Sequence, residues 1–292
     1  MIKFGRNYKI DIETELGTTL EVTLPFTIEF DIIRTTLSSA NICQVRLYNL
    51  AQVKRSQIAF NVFNQSKYRP ILLKAGYGTN LTTIFSGNMS QAWSVREGVN
   101  FITQIECFDG GFAFVNGKIE ISFPAGTPLQ IVIRTLMEKL SDYGISLGAV
   151  GTFPGVLSKG NTYNGNIAQI LFELTGGAFF IDNETAYALP SNEYATGLGS
   201  GIQSQPVVII NTDTGLLNTP VLEQSIIRFD MLFEPSLNVG RLANLISLTN
   251  PLLNGLYIVT SVKHRGIISE SVAGSLITTV EFFYSKVLIP AV

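Results

Sequence analysis

A mainly β fold, with a small α+β insert between two tandem related antiparallel β-barrels, is the architecture this sequence predicts. Three observations carry it. Short runs of period-two alternation, rich in strand formers, fill both ends of the 292-residue chain. Each end closes with a strand, a polar turn and a strand. Sustained helical periodicity is confined to the middle. The spacing places a first barrel over 1–118, an α+β domain over 119–190, a Gly/Ser-rich linker over 191–204 and a second barrel over 205–292.

In the first unit, residues 7–13 alternate and read as a strand. Leu24 to Ile33 sets Phe26, Ile28 and Phe30 against Thr27, Glu29 and Asp31, and Asn41 to Leu47 alternates in the same way. One face of each is therefore expected to be wet and the other buried. Residues 51–60 form a helix-like piece. Strands follow over Arg69 to Tyr77, Thr82 to Trp93 and Asn100 to Phe108, with Gly76, Gly87 and Gly98 where turns or bulges belong. About six or seven short strands in this length predict a small closed or nearly closed barrel.

The rhythm changes after Gly117. Phe123 to Gly126 reads as a linker or strand end. Thr127-Pro128-Leu129-Gln130 spells a helix start, with Thr127 as cap, Pro128 in the first turn and Gln130 completing a capping box. Leu129, Val132, Ile133, Leu136, Met137 and Leu140 form its apolar stripe, and Gly144 stops it. A second helix is expected from about Asn166 to Leu174. A hairpin follows, with Ala178 to Ile181 and Ala186 to Leu189 flanking Asp182-Asn183-Glu184.

In the third unit, strands are expected over Pro206 to Ile210, Ser225 to Phe233, Ala243 to Leu248, Leu256 to His264 and Ser275 to Tyr284. The last alternates Ile277, Thr279, Glu281 and Phe283 with Leu276, Thr278, Val280 and Phe282. Apolar residues on both faces suggest a core on one side and a neighbour on the other. A charge at Val280 or Phe282 is accordingly expected to unfold this barrel or break an assembly. The apolar VLIPAV stretch at 287–292 reads either as a contact tail or as a strand completing the barrel.

Charged residues make up 14% of the chain and the net charge is −2, so nothing electrostatic draws it to nucleic acid. With 19 Phe and 10 Tyr, low charge suits a surface covered by partners. Cys43 and Cys107 do not make a disulfide framework and read as buried thiols in a reducing compartment. The first ten residues lack the apolar core of a signal peptide, and no run reaches the ~18 apolar residues of a membrane helix. The chain is expected to fold without export and to bind no membrane.

No catalytic, cofactor or metal residue is expected. His264 is the single histidine and lacks partners for a metal site or a nucleophile system, so it reads as structural. Glu97, Glu106 and Asp109 share one strand–turn region without the marks of an acid/base pair. The glycines at 148–151 and 197–201 lack the lysine and the context of a phosphate loop. Lys54, Arg55, Lys67 and Arg69 make a local positive region, read as a solvated or salt-bridging rim. Phe4, Arg6 and Tyr8 alternate at the start of a strand, as an edge contact or as ordinary packing.

Several strings resemble the hub proteins of contractile phage tail baseplates. They are Phe4-Gly5-Arg6-Asn7-Tyr8-Lys9-Ile10, NICQVRLYNL with Tyr48 and Asn49, KAGYG with Gly76 and Tyr77, and Ile84 to Gly87. In the third unit they are LFEPSLNVG with Pro235 and Gly240, Gly255 to Val259 with Tyr257, and Val262 to Gly266 with His264. The resemblance implies two related barrels with an inserted domain, and three copies in a ring. Six barrels would then meet a sixfold tail tube or tube-initiator protein on one side and a threefold central spike on the other. The ring would enclose a channel for the tape-measure protein and for DNA as passing cargo. The implied place is the virion baseplate, assembled in the host cytoplasm. The alternatives are a distal-tail or tube-initiator adaptor ring, and a β-rich glycan-binding module or cell-wall hydrolase. Duplicated barrels favour the trimer, because one protomer then presents two similar faces.

Overall fold

A computed structural model describes residues 3–37, 40–61, 68–190, 193–194 and 207–284. The linker expected over 191–204 and the VLIPAV stretch therefore lie, respectively, almost wholly and wholly outside the described residues. The first region runs β1 (Arg6–Glu13), β2 (Thr19–Thr23), β3 (Ile28–Thr35), β4 (Ile42–Tyr48), α1 (Gln52–Ile58), β5 (Phe60–Asn61), β6 (Arg69–Tyr77), β7 (Asn80–Glu97) and β8 (Asn100–Phe108). The middle region holds α2 (Gly111–Asn116), β9 (Lys118–Phe123), α3 (Leu129–Lys139), β10 (Ser146–Val150), β11 (Asn161–Asn166), α4 (Ile167–Leu174), β12 (Phe179–Asp182) and β13 (Thr185–Ala188). The third holds β14 (Val208–Ile210), β15 (Val221–Glu223), β16 (Ile226–Leu232), β17 (Leu242–Leu245), β18 (Gly255–Ile268) and β19 (Leu276–Phe283).

The mainly antiparallel β architecture with a small α+β insert is present. The first and third regions share one sheet, whose strands follow the path β15-β16-β19-β18-β3-β4-β8-β7-β6-β1-β2. The join is the ladder between β3 and β18, eight antiparallel pairs from Ser261↔Thr35 to Ile268↔Ile28. β18 is long because it changes partners along one edge: Gly255 to Ile258 pair with β17, then Ser261 onward with β3. Parallel pairs occur too, β14 with β17 and β10 with β13.

The sheet curls around two cores. Inward residues of β1, β2, β3, β4, β6, β7 and β8, among them Tyr8, Val22, Phe30, Val45, Leu73, Phe85 and Ile105, share the first. Ile227, Phe229, Val259, Val262, Val280 and Phe282 belong to the second. The third core lies in the middle region, where Val132, Ile133, Leu136 and Met137 of α3 pack on Ile167 and Leu171 of α4 and on Phe179. Ala113 of α2 joins that core, although it lies within the stretch 1–118.

Local readings shift in several places; α2, β9, β10, β11 and β15 are additions, and β18 runs past His264 to Ile268. β3 starts at Ile28, because residues 24–27 form a turn containing the cis Leu24–Pro25 bond. β2 precedes that turn and was not anticipated; only Val22 of its five residues is buried, so its alternation is too short to read. The capping box at α3 does not form: Thr127 Oγ1 donates to Pro124 O, while Gln130 reaches Gly151 O and the Phe153 amide. Gly76 and Gly87 sit inside strands rather than in turns.

Candidate functional site: a buried polar junction and an outer sheet face

Arg34 continues the inward face of β3 after Ile28, Phe30 and Ile32, so the strand carries its guanidinium into the interior, where it is fully buried. A buried charge needs a partner with matched geometry. Arg34 Nε and Nη2 donate to the two carboxylate oxygens of Asp182, at 2.7 and 2.6 Å, and Nη2 also donates to Asn238 Oδ1 at 2.6 Å. The middle and third regions therefore both grip one side chain of the first. Burial works against the Arg34 charge, but the facing Asp182 carboxylate outweighs it and its pKa lies above the ordinary value.

Asp109 follows β8 and supports the same corner. Its oxygens accept the amides of Asn183 at 2.5 Å and Glu184 at 2.8 Å. Those residues have φ of 51° and 55°, the left-handed pair of a tight hairpin turn between β12 and β13. The turn in turn binds β7: Ser86 N donates to Asn183 Oδ1 and Ser86 Oγ to Glu184 Oε2. Asn41 Nδ2 spans Ile181 O, Asp182 and Asp109 at 3.0, 3.2 and 3.3 Å. Burial and neighbouring Asp182 push the Asp109 carboxyl up to about 7, against the N–H donors that favour its charge.

His264 lies beyond this corner, in mid-strand on β18 and fully buried. Its Nδ1 is 2.9 Å from Thr278 Oγ1, which also accepts the Glu234 amide. Its ring meets the edge of Phe233 at 5.2 Å, and Nε2 has no hydrogen-bond partner among the described residues. Burial, helped by the Arg34 charge, lowers its pKa to about 3, so the ring is neutral. Among the described residues no group of His, Cys, Asp and Glu could hold a metal ion.

The segment Leu232–Gly240 bridges two cores. Phe233 enters the first core, while Leu237 and Val239 enter the second. Pro235 and Gly240 are buried along it, and Gly240 at φ 73° packs against Phe180. Tyr77 Oη donates to Phe233 O at 3.0 Å, which ties β6 to the same segment.

Other anticipated positions are structural and scattered. Phe4 is exposed, Gly5 O accepts the Gly78 amide, and Arg6 reaches Gly274 O. Tyr8 is wholly inside the first core, its hydroxyl on Phe26 O at 2.7 Å. Phe4, Arg6 and Tyr8 do not make one exposed contact face, because Tyr8 is buried in the core while Phe4 and Arg6 are exposed; over Arg6 to Tyr8, β1 pairs with β6, and β2 joins from Lys9. Tyr48 Oη donates to Glu29, and Asn49, at φ 58°, holds the Phe101 amide. Tyr257 stacks on Phe282 at 5.3 Å. Val280 and Phe282 are completely buried in the protomer's own core, so they are unavailable as contacts to a neighbour. Cys43 and Cys107 are free, buried and directly opposite each other; burial pushes the Cys43 thiol up. Arg55 and Arg69 lie over the rings of Phe101 and Phe60, as packing rather than as a basic stripe, and Lys67 lies outside the described residues.

The opposite face of the joined sheet carries charged and polar residues in both halves, with exposed apolar ones such as Ile33, Ile42 and Phe283 among them. A shallow groove of about 600 Å³ runs over Glu29, Asp31, Gln44, Arg46, Glu106 and Arg265. Its charges are largely matched: Lys263 meets Asp31 at 3.0 Å, Arg46 meets Glu29 and Glu97, and further along Arg228 meets Glu281. Arg34, Asn41, Asp109, Asp182 and Asn238 were missed as a site. The available signal was an arginine at an inward position of an otherwise apolar strand face.

Among the described residues, this arrangement ties three regions of the chain together through one buried polar cluster. Similar folds occur among solved structures at 8% identity. A 43 kDa tail protein of prophage MuSo2 from Shewanella oneidensis has a TM-score of 0.60, covering 94% of this chain and 96% of that one. The tail protein from Neisseria meningitidis MC58 also has 0.60, covering 98% of each. The E. coli c3393 protein, a type VI secretion component, has 0.55, covering 90% and 75%. No curated protein matches the sequence. The family model described as baseplate hub gp41 matches residues 10–270, and the chain accordingly belongs to that family of structural phage tail baseplate hub proteins.

Proposed function

We propose that three copies of this chain form a ring that joins a sixfold tail tube, or its initiator protein, to a threefold central spike. The observation that carries this reading is the sheet itself. One chain holds two curled halves, each around its own core, fused through the eight-pair ladder of β3 and β18. Three chains then supply six curled units in fixed spacing, which is what a match between threefold and sixfold partners requires. The buried junction of Arg34, Asp182, Asn238 and Asp109 keeps the middle region from shifting that spacing.

The charged groove of the outer face suits the wall of a channel through which DNA and a tape-measure protein pass. Its charges are paired, so it offers DNA no run of free cations to bind phosphates. The role is structural, with no catalytic step, and it is exercised in the tail baseplate after assembly in the host cytoplasm. The c3393 protein is described as similar to T4 tail proteins gp27 and gp5, which supports an extension of the same logic to tail-like machines. Native mass measurement of the chain mixed with tube and spike proteins tests the reading. Three copies per complex are expected. Six copies would favour an adaptor ring, and a monomer that binds glycans on a panel would favour a cell-wall module.

A further inference from the structure

A cleft of about 940 Å³ opens where the three cores meet. Leu37, Phe180, Leu189, Ile226, Tyr257 and Phe283 line it. Leu37 is 69% exposed and Phe283 48%, so apolar surface stands in water that a docked segment would cover. Of the two acids on its walls, Glu193 accepts the Thr152 amide and Glu281 is held by Arg228.

We propose that residues 285–292 of the same chain, SKVLIPAV, dock in this cleft. The exit point favours them. The Tyr284 amide is held by Ser225 O at 2.8 Å, and the chain leaves the described fold there, one residue beyond Phe283 on the cleft wall. The chemistry matches as well: Val287 to Val292 are uniformly apolar, like the exposed Leu37 and Phe283 side chains that a docked segment would cover. Eight extended residues reach roughly 26 Å, enough to double back over the cleft. Residues 195–206, which follow Glu193 of the cleft wall in sequence, have no comparable apolar run. This proposal is independent of the number of copies in the ring.

The test is a cysteine pair, Leu37→Cys with Leu288→Cys, in the full chain. Leu37 is exposed enough to tolerate the change, and native Cys43 and Cys107 are buried away from oxidant. A disulfide within one chain is expected, read as a linked peptide in the monomer band. A disulfide between two chains would make a second copy the occupant and overturn the proposal, and so would no disulfide. A second measurement compares the full chain with one ending at Tyr284. The Thr36 amide bonds Thr260 O inside the cleft, and its hydrogen-exchange protection is expected to fall about tenfold on truncation. Unchanged protection would likewise overturn the proposal.

Discussion

Arg34 connects three parts of the chain through one side chain, and its removal isolates Asp182 in the interior. Arg34→Met is expected to cost about 3–5 kcal/mol, because an unpaired buried carboxylate remains. Arg34→Met combined with Asp182→Leu should cost less than the single change, since both charges leave together. Urea midpoints of the two variants check this; a double variant less stable than the single would contradict it. Two further buried groups set the pH response in opposite senses. His264 titrates near 3 when folded and 6.5 ordinarily, so the unfolded chain takes up a proton first and stability falls as pH drops from 6.5 toward 3. Asp109 titrates near 7 when folded and 3.8 ordinarily, so the folded chain holds the proton and stability falls as pH rises from 3.8 toward 7. His264→Leu should therefore weaken the loss of stability between pH 6.5 and 4 relative to the parent. Urea midpoints at pH 7, 5.5 and 4 decide it, and an equally steep loss in the variant would refute the assignment.

At the level of elements, alternation made much of the sheet legible. β6 and β8 have the bounds that the apolar pattern predicts, since each has one wet and one buried face. The face of β19 that carries Val280 and Phe282 is wholly internal, and its other face mixes Ile277 and Phe283 with the polar Thr279 and Glu281, the latter paired with Arg228. Val280→Asp is thus expected to cost roughly 4 kcal/mol or more by burying a charge in the second core. A thermal melt unchanged from the parent would refute that placement. Gly87 shows what alternation cannot convey. A Cβ there would lie 2.6 Å from Phe108 O and 2.9 Å from the Asp109 Cα, so the strand passes too close to its neighbour for any side chain. Gly87→Ala should cost about 1–3 kcal/mol, measured by urea unfolding. The polar junction was illegible for a related reason. Its members stand at 34, 41, 109, 182 and 238, and only the packing of three regions brings them together.

For the whole molecule, the joining of two curled halves into one sheet matters more than any side chain. Sequence rhythm suggested two barrels; the β3–β18 ladder that unites them lies between segments more than two hundred residues apart and leaves no local trace. That union places both curved units in one continuous hydrogen-bonded sheet. The most direct test of the trimeric hub is an image, along its axis, of the complex formed with tube and spike proteins, together with its mass. The expected result is three copies of the 31.9 kDa chain arranged as six lobes around an open centre. Six copies with twelve lobes, or a complex in which the chain stays single, would contradict it.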